Sequence, residues 1–379
     1  MTVADGPRVV DVTQWYSPTS GGIRTYLHAK AEWAASTGAF HAAVLTGPRD
    51  GVSTVAGSPA VLVRGRTPRA TWGYRVALRA RGVLAAVERL RPDVIVVHDA
   101  LAFPRSLAEW ASDAGVRVVQ VCHSHLADAV RGAPRIVRRP AGAALTVIQR
   151  RALTVGEVVL VASPVVREAI RGGAPGPDVV VSPLGIDLDT FRRATPDPEL
   201  RRCLGVPDGA PLLLYAGRLS REKAVDLLPG VVRGVEDGVL VVAGTGAART
   251  RLEQQCRRAG VGARVRWMGH VSDRDQMASL MATADCFVHP NAREPFGLAL
   301  LEALAAGCRL VAPRSIGIAD IVGGRGAVLV DPHDPDALAA GVATALGRPR
   351  PRPDLDDLSW NAVFRREWTL YRSLVNQTA

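Results

Sequence analysis

The sequence predicts an α/β protein built from two doubly wound parallel sheets. Three observations carry that prediction. The chain has 379 residues, and at about 100–200 residues per domain this is room for two domains with separate cores. Short Val/Ile/Leu runs alternate with helix-length stretches along nearly the whole chain, the pattern of parallel strands covered on both faces by helices. The alternation runs through two series, separated by the polar, Pro-interrupted stretch Asp189–Leu204.

The first series of strands is read at Arg8–Val12, Ala42–Thr46, Ala60–Arg64, Val94–His98, Val116–Cys122, Val158–Ala162 and Val179–Ser182. The second is read at Leu212–Ala216, Val239–Ala243, Val265–Met268, Cys286–His289, Arg309–Ala312 and Ala327–Leu329. The boundary is expected just after Pro183-Leu184-Gly185, giving domains of 1–185 and 186–355. A Pro-rich linker, Gly347–Asp357, leads to a terminal piece, 356–379, whose helix around Trp360–Val375 carries Trp360, Phe364, Trp368 and Tyr371. So aromatic a helix is expected to pack back on the body of the protein. Sheets of this kind bind ligands beyond the carboxyl ends of their strands, so the cleft between the two domains is the expected site.

Hydrophobic residues make up 47% and charged residues 22% of the chain, which sets aside disorder, collagen-like repeats and coiled coil. No uncharged apolar run approaches the ~18–20 residues a membrane span needs. Residues Met1–Pro7 lack a charged-then-apolar leader, so an unexported, cytoplasmic protein is expected. The five cysteines are scattered without a C-x-x-C pair, which reads as reduced, mostly buried thiols.

The formal charge of +11 is uneven. Residues 1–185 hold 22 Lys and Arg against 13 Asp and Glu, and residues 186–379 hold 25 against 23. Within the first half, residues 61–91 contribute +7 and residues 131–151 contribute +6, the latter without a single acid. On a helix read over 75–90, Arg75, Arg79 and Arg89 share one side, opposite Val76, Val83, Leu84, Val87 and Leu90. That stripe is either a solvated surface or a patch for anionic lipid or another anionic acceptor. No nucleic-acid partner is expected, because zinc-finger spacing, ribonucleoprotein motifs and aromatic interleaving are all missing.

Four stretches carry chemistry. The first strand runs into Ser17-Pro18-Thr19-Ser20-Gly21-Gly22-Ile23-Arg24, where paired glycines at a helix start let backbone N–H groups approach phosphate, although a plain structural turn fits as well. Val121-Cys122-His123-Ser124-His125 ends another strand; His123 is either a substrate contact or a hydrogen-bonded structural residue. A metal site from Cys122, His123, His125 and His98 is disfavoured, since neighbours on a strand face opposite ways and no fourth ligand stands out. Leu212–Ala216 runs into Gly217-Arg218-Leu219-Ser220-Arg221-Glu222-Lys223, where a guanidinium fork and an ammonium point charge can clamp a diphosphate. Gly244-Thr245-Gly246 repeats that turn after the following strand.

The most specific stretch is His289 to Gly307, in which Glu294 precedes and Glu302 lies inside a helix read from about Phe296. The carboxylates can sit at two heights along one ligand while the N–H groups of Phe296, Gly297 and Leu298 face its phosphates.

Taken in order, these motifs resemble the GT-B glycosyltransferases of family 4, with Ser163-Pro164, Pro183–Asp187 and Gly269-His270-Val271 completing the match along the whole chain. The resemblance implies a retaining, metal-independent hexosyltransferase with a UDP- or GDP-sugar as co-substrate. It implies that Arg218 and Lys223 bind the diphosphate beside Gly217, Gly246 and the backbone of Phe296–Leu298. Glu302 would hold the ribose, Glu294 the sugar hydroxyls, and His270 and Val271 the base edge. Gly22 would meet the phosphate side from the first domain, and His123 would lie near the sugar's reactive face. One departure is Ala224, where many relatives carry Gly after the Lys. The acceptor is expected to be a membrane-surface lipid or glycan on the inner face of the cell membrane, with a soluble metabolite as the alternative. A sugar-nucleotide epimerase of the same fold, or a non-catalytic binding scaffold, are the other classes to weigh.

Overall fold

The computed structural model describes residues 6–16, 22–67, 75–77, 79–98, 104–122, 135–171, 176–294 and 296–377. The chain divides into two compact units, Met1–Gly185 with Trp360–Ala379, and Ile186–Ser359.

In the first unit the chain runs β1 (Val9–Thr13), α1 (Gly22–Thr37), β2 (His41–Gly47), β3 (Gly51–Val55), β4 (Ser58–Arg64) and α2 (Ala80–Leu90). It continues through β5 (Val94–Val97), α3 (Pro104–Ala114), β6 (Arg117–Cys122), α4 (Arg135–Leu153), β7 (Val158–Val161), α5 (Pro164–Arg171) and β8 (Asp178–Val181). The strands form one sheet in the order β3-β4-β2-β1-β5-β6-β7-β8. All pairs are parallel except the hairpin of β3 and β4. The strand β3 was not read from the sequence because it is a polar edge strand, exposed at Gly51–Thr54, without the apolar run that marks the others. Alternate side chains feed two faces. Val10, Val12, Ile95 and Val97 pack on Val83, Val87, Leu107 and Ala111 of α2 and α3, whereas Val9, Val94 and Val96 pack with Tyr26, Leu27 and Ala31 of α1.

The basic helix read over 75–90 begins only at Ala80. Val76 instead bridges Arg66 as a strand residue, so Arg75 and Arg79 do not share a helical face with Arg89.

In the second unit come α6 (Leu188–Arg193), α7 (Pro198–Cys203), β9 (Leu212–Ala216), α8 (Leu228–Gly234), β10 (Val239–Ala243), α9 (Arg249–Arg258) and β11 (Val265–Gly269). There follow α10 (Arg274–Thr283), β12 (Cys286–Val288), α11 (Leu298–Ala305), β13 (Arg309–Pro313), α12 (Ile316–Val322), β14 (Val328–Val330) and α13 (Pro335–Leu346). The sheet is parallel, in the order β11-β10-β9-β12-β13-β14. Residues 356–359 stay with this unit rather than with the terminal helix, because Ser359 bridges Ile186 and the Ile186 N–H donates to the Leu358 carbonyl at 2.8 Å.

The last helix, α14 (Trp360–Asn376), belongs to the first unit. Its aromatic face explains the docking: Trp368 packs 4.9 Å from Trp33 and Phe364 lies edge-on to Tyr26 at 5.4 Å, centroid to centroid. Gly185 is where the chain passes close beneath it, since a Cβ there would meet the Trp360 ring at 2.5 Å. Four of the five cysteines are buried and Cys203 is exposed, all free thiols.

Candidate active site

In the second sheet the winding reverses between β9 and β12, from which β10 and β11 lie to one side and β13 and β14 to the other. The carboxyl ends of two such strands splay their loops apart and leave a crevice, the preferred ligand position of doubly wound sheets. The loop after β9 carries Arg218 and Lys223, and the loop after β12 carries His289, Asn291 and Glu294.

These loops meet. The Lys223 Nζ donates to Glu294 Oε2 at 2.6 Å, with the side chains 27% and 14% exposed, so the pair is reachable yet partly desolvated. Asn291 Nδ2 donates to the same oxygen at 3.3 Å, and His289 Nε2 stands 3.7 Å from it. Burial works to raise the Glu294 carboxyl, but the Lys223 charge, then His289 and the hydrogen bonds from Lys223 and Asn291, outweigh it and hold the group below its ordinary value. The His289 ring is pushed down to about 4, by burial first and by Lys223, against the pull of Glu294. It is thus a neutral imidazole at physiological pH, and its Nε2 has no hydrogen-bond partner among the described residues.

The loops after β9 and β10 are laced together by Gly217 N–H to Ala243 O at 3.0 Å and Leu219 N–H to Thr245 O at 2.9 Å. Gly244 and Gly246 permit this approach: a Cβ on either would collide with the carbonyl oxygen of Gly217 or Leu219. The Tyr215 hydroxyl donates to the Arg218 carbonyl at 2.9 Å and fixes that backbone. The Arg218 guanidinium itself is 56% exposed, 4.0 Å from Glu222, a pairing too wet and too long to hold it against an incoming phosphate.

The helix α11 starts at Leu298, two residues later than read, because Gly297 caps it with φ +73°. Phe296 is buried at its mouth. Inside that helix Glu302 is 14% exposed, with its Oε1 3.2 Å from the Arg274 guanidinium. Burial raises the Glu302 carboxyl above its ordinary value, with Asp187 adding to it, and Arg274 only partly offsets this. Arg274 also reaches Asp187 at 3.3 Å.

Known proteins resemble the chain along both units. Residues 20–190 match the model for Glycosyltransferase Family 4, and residues 196–359 match that for Glycosyl transferases group 1. A GDP-mannose-dependent alpha-(1-6)-phosphatidylinositol dimannoside mannosyltransferase of Mycobacterium tuberculosis is 33% identical over 348 residues, covering 90% of this chain and 88% of that protein. The chain belongs to the family 4 GT-B glycosyltransferases. It is a nucleotide-sugar glycosyltransferase, with both sheets of the GT-B fold that the sequence led us to expect. Among solved structures, a sucrose-phosphate synthase from Thermosynechococcus elongatus shares the fold at TM-score 0.78 and 21% identity, over 98% of this chain and 99% of that one. HepE of Anabaena in complex with UDP does so at 0.70 and 18%, over 98% of both. A D-inositol 3-phosphate glycosyltransferase of Catenulispora acidiphila is 35% identical over 225 residues, 55% of this chain and 51% of that protein.

In this glycosyltransferase the remaining residues singled out from the sequence fall as follows. Gly217, Gly246, His270 and Val271 follow the carboxyl ends of β9, β10 and β11, on the sheet edge that carries Lys223 and Glu294. Glu302 lies apart from that pair, in its own cluster with Arg274 and Asp187. Gly22 opens α1 in the first unit, exposed, with nothing within 4 Å of where a Cβ would stand. His123, with His125, lies outside the described residues. Of the other two residues weighed as metal ligands, Cys122 accepts from the Gln149 amide at 3.2 Å and His98 pairs with Asp11 at 2.5 Å. The sequence reading missed His289, Asn291, Arg274 and Asp187 as site partners. The first two stood inside the quoted motif without a role, and Asp187 inside the Pro183–Asp187 segment. Arg274 follows the Asp273 helix cap and carries no local signal.

Proposed function

We propose that the chain is a retaining, metal-independent hexosyltransferase that takes mannose from GDP-mannose and passes it to a hydroxyl on a lipid-borne acceptor. The observation that carries the site is the Lys223–Glu294 pair across the switch point of the second sheet. The mannosyltransferase relative, named for GDP-mannose and a phosphatidylinositol dimannoside, supports the donor and the acceptor class.

On this reading the diphosphate lies against Lys223 and Arg218, with backbone N–H groups of Phe296, Gly297 and Leu298 toward it. Fixed cations and a helix start aimed at a leaving oxyanion act most strongly where charge develops. Glu294 orients the Lys223 ammonium and accepts from sugar hydroxyls. Glu302, held on one oxygen by Arg274, presents the other to the ribose diol. His270 and Val271 meet the base edge. The glycosyl C1–O bond to the diphosphate breaks as the acceptor oxygen bonds C1 on the same face. The acceptor proton passes to the departing phosphate oxygen, so configuration is retained without a protein nucleophile.

A thermal-shift panel of GDP, UDP and their sugars tests the donor, since a ligand at 100 times its Kd stabilises by about 2.7 kcal/mol. GDP-mannose is expected to give the largest shift and UDP-glucose little. The reverse order would remove mannose transfer from GDP-mannose as the reading. The inositol phosphate glycosyltransferase relative favours a soluble acceptor as the second reading. GDP release stimulated by inositol phosphate and not by phosphatidylinositol mannosides would select it.

A further inference from the structure

At the switch point of the second sheet, His289 follows β12 and is fixed there by its N–H, which donates to the Val311 carbonyl of β13 at 2.9 Å. Its side chain is 7% exposed, and Nε2 points at Glu294 Oε2 from 3.7 Å without a hydrogen-bond partner among the described residues. That oxygen is taken by Lys223 at 2.6 Å and by Asn291 at 3.3 Å. A backbone hydrogen bond at Asn291 favours a protonated ring, which assigns the single proton of the neutral imidazole to Nδ1 and leaves Nε2 bare. What Nε2 lacks for a bond to the carboxylate is therefore a proton, since the acceptor already stands beside it.

In the free site Lys223 and Glu294 cancel. A nucleotide sugar upsets that balance, because its diphosphate brings two negative charges to Lys223 and Arg218. Glu294, 14% exposed, then loses most of its counter-charge, and a buried carboxylate is costly without one. We propose that His289 takes a proton from solvent onto Nε2 as the donor binds, and as an imidazolium holds Glu294 while Lys223 turns its charge to the diphosphate. His289 is on this account a positioning residue that acts on the sugar through Glu294, and donor binding is coupled to proton uptake. The inference rests on the donor site read above, with Lys223 against the diphosphate.

The groups around the ring support that direction. Burial first, and Lys223 from the loop after β9, hold it neutral in the free site, against Glu294 and the Asn291 backbone of its own loop. Tyr215 of β9, which the Glu294 charge also reaches, is raised by burial and stays uncharged. Glu302 of α11 is turned to Arg274, and β13 meets His289 through the Val311 carbonyl. Engaging Lys223 removes the positive charge that opposes protonation and leaves Glu294, which favours it. The arriving diphosphate adds to the same side.

The test is calorimetric titration of the full chain with GDP-mannose, whose diphosphate diester does not itself titrate in this range, at pH 5.5 in buffers of different ionisation enthalpy. With the ring at about 4 in the free site and back at ~6.5 in the bound one, about 0.9 proton should enter per donor, and Kd should be about ten-fold tighter at pH 5.5 than at pH 7.5. His289→Gln offers Glu294 an N–H that does not titrate, so that uptake and that pH dependence should vanish. His289→Phe offers no N–H and should bind the donor more weakly than His289→Gln at pH 7.5. Glu302, raised by burial, would release a proton on meeting the ribose as a carboxylate, so the difference between wild type and His289→Gln is the quantity to read. Imidazole 15N spectra of the wild type at pH 5.5 read the proposal without a variant: one neutral ring should take the imidazolium pattern when donor is added. Equal proton counts in wild type and His289→Gln, or no ring that changes, would overturn the proposal. A chain that binds UDP-glucose and not GDP-mannose would sink the donor reading alone, because the same proton count taken with UDP-glucose still decides on His289.

Discussion

Both sheets reverse their winding at one point, between β1 and β5 in the first unit and between β9 and β12 in the second, and both carry opposite charges there. The first set is sealed. Asp11 pairs with Lys30 at 3.0 Å, His41 at 2.7 Å and His98 at 2.5 Å, all with fully buried side chains. The Tyr26 and Tyr371 hydroxyls sit 3.3 and 3.4 Å from Lys30 Nζ and donate to Glu367 of α14, which Ser182 also reaches. The second set is open, with Lys223 and Glu294 partly exposed; each set leaves one imidazole nitrogen, His41 Nδ1 and His289 Nε2, without a hydrogen-bond partner among the described residues. Pairing of opposite charges is what lets buried charge persist, and it turns the first cluster into a staple for the terminal helix. Exposure leaves the second with charged groups to offer a ligand.

The contrast is broken first by removing one member of each set. Asp11→Ala leaves the buried Lys30 ammonium facing Glu367 at 3.9 Å in place of its closer carboxylate, and loss of one partner of a buried pair costs about 3–5 kcal/mol. Denaturant unfolding should show that loss. A change below 1 kcal/mol would mean the cluster is not the staple described. Lys223→Ala should do the opposite, leaving the unfolding midpoint nearly unchanged while kcat drops by ~10²–10³, the usual toll of one donor to developing negative charge. Full kcat in that variant would remove Lys223 from the transition state.

The two clusters also differ in how far the sequence revealed them. The strand–helix alternation exposed nearly every strand because parallel strands buried on both faces must be apolar throughout, and only the solvated edge strand β3 escaped. The loop residues Arg218, Lys223 and Glu294 were legible as charges at strand ends, and Glu302 as an acid inside the helix that follows. Their grouping was not: Glu302 turns to Arg274 and Asp187, 28 and 115 positions away, while Glu294 turns to Lys223. The sealed cluster left no trace, since Lys30 and Glu367 stand 337 positions apart in helices that read as ordinary. Long-range partnership is fixed by tertiary packing, which no local pattern encodes. The basic helix failed at its start for a related reason: the periodicity over 75–79 was overridden by pairing with Arg66.

A third measurement sharpens the contrast through pH. The His289 ring titrates at about 4 in the fold against ~6.5 in an unfolded chain. The unfolded state therefore takes the proton first, so the stability that the neutral ring carries is intact above pH 6.5 and is lost as pH falls toward 4. Between those values the wild type should lose on the order of 2 kcal/mol relative to His289→Gln. Asp11 is held well below its ordinary range, by Lys30 and by the two histidines against a burial effect of the opposite sign. Its contribution is present above that range and fades only below it, whereas His41 of the same cluster, held below its ordinary value by burial first, responds in the same direction as His289, so the comparison with His289→Gln is what isolates the open cluster's share. Parallel unfolding curves for the wild type and His289→Gln from pH 7 to 4 would refute the buried neutral ring.

The smallest expected effect concerns the turn that carries Lys223. Ala224 adopts φ +50°, ψ +34° between the 3-10 turns Arg221–Lys223 and Val225–Leu227, with its N–H bonded to Arg221 O at 3.1 Å. A left-handed conformation costs a non-glycine residue ~1–2 kcal/mol, while glycine there gives up roughly 0.5–1 kcal/mol of chain entropy. Ala224→Gly should therefore stabilise the fold by about 0.5–1 kcal/mol, as substitutions matched to their backbone geometry do. Because the Lys223 ammonium is held from the far side by Glu294, kcat should stay within about two-fold, equivalent to ~0.4 kcal/mol of barrier. A larger fall in kcat alongside the gain in stability would show that the strained alanine, and not Glu294, sets the lysine's position.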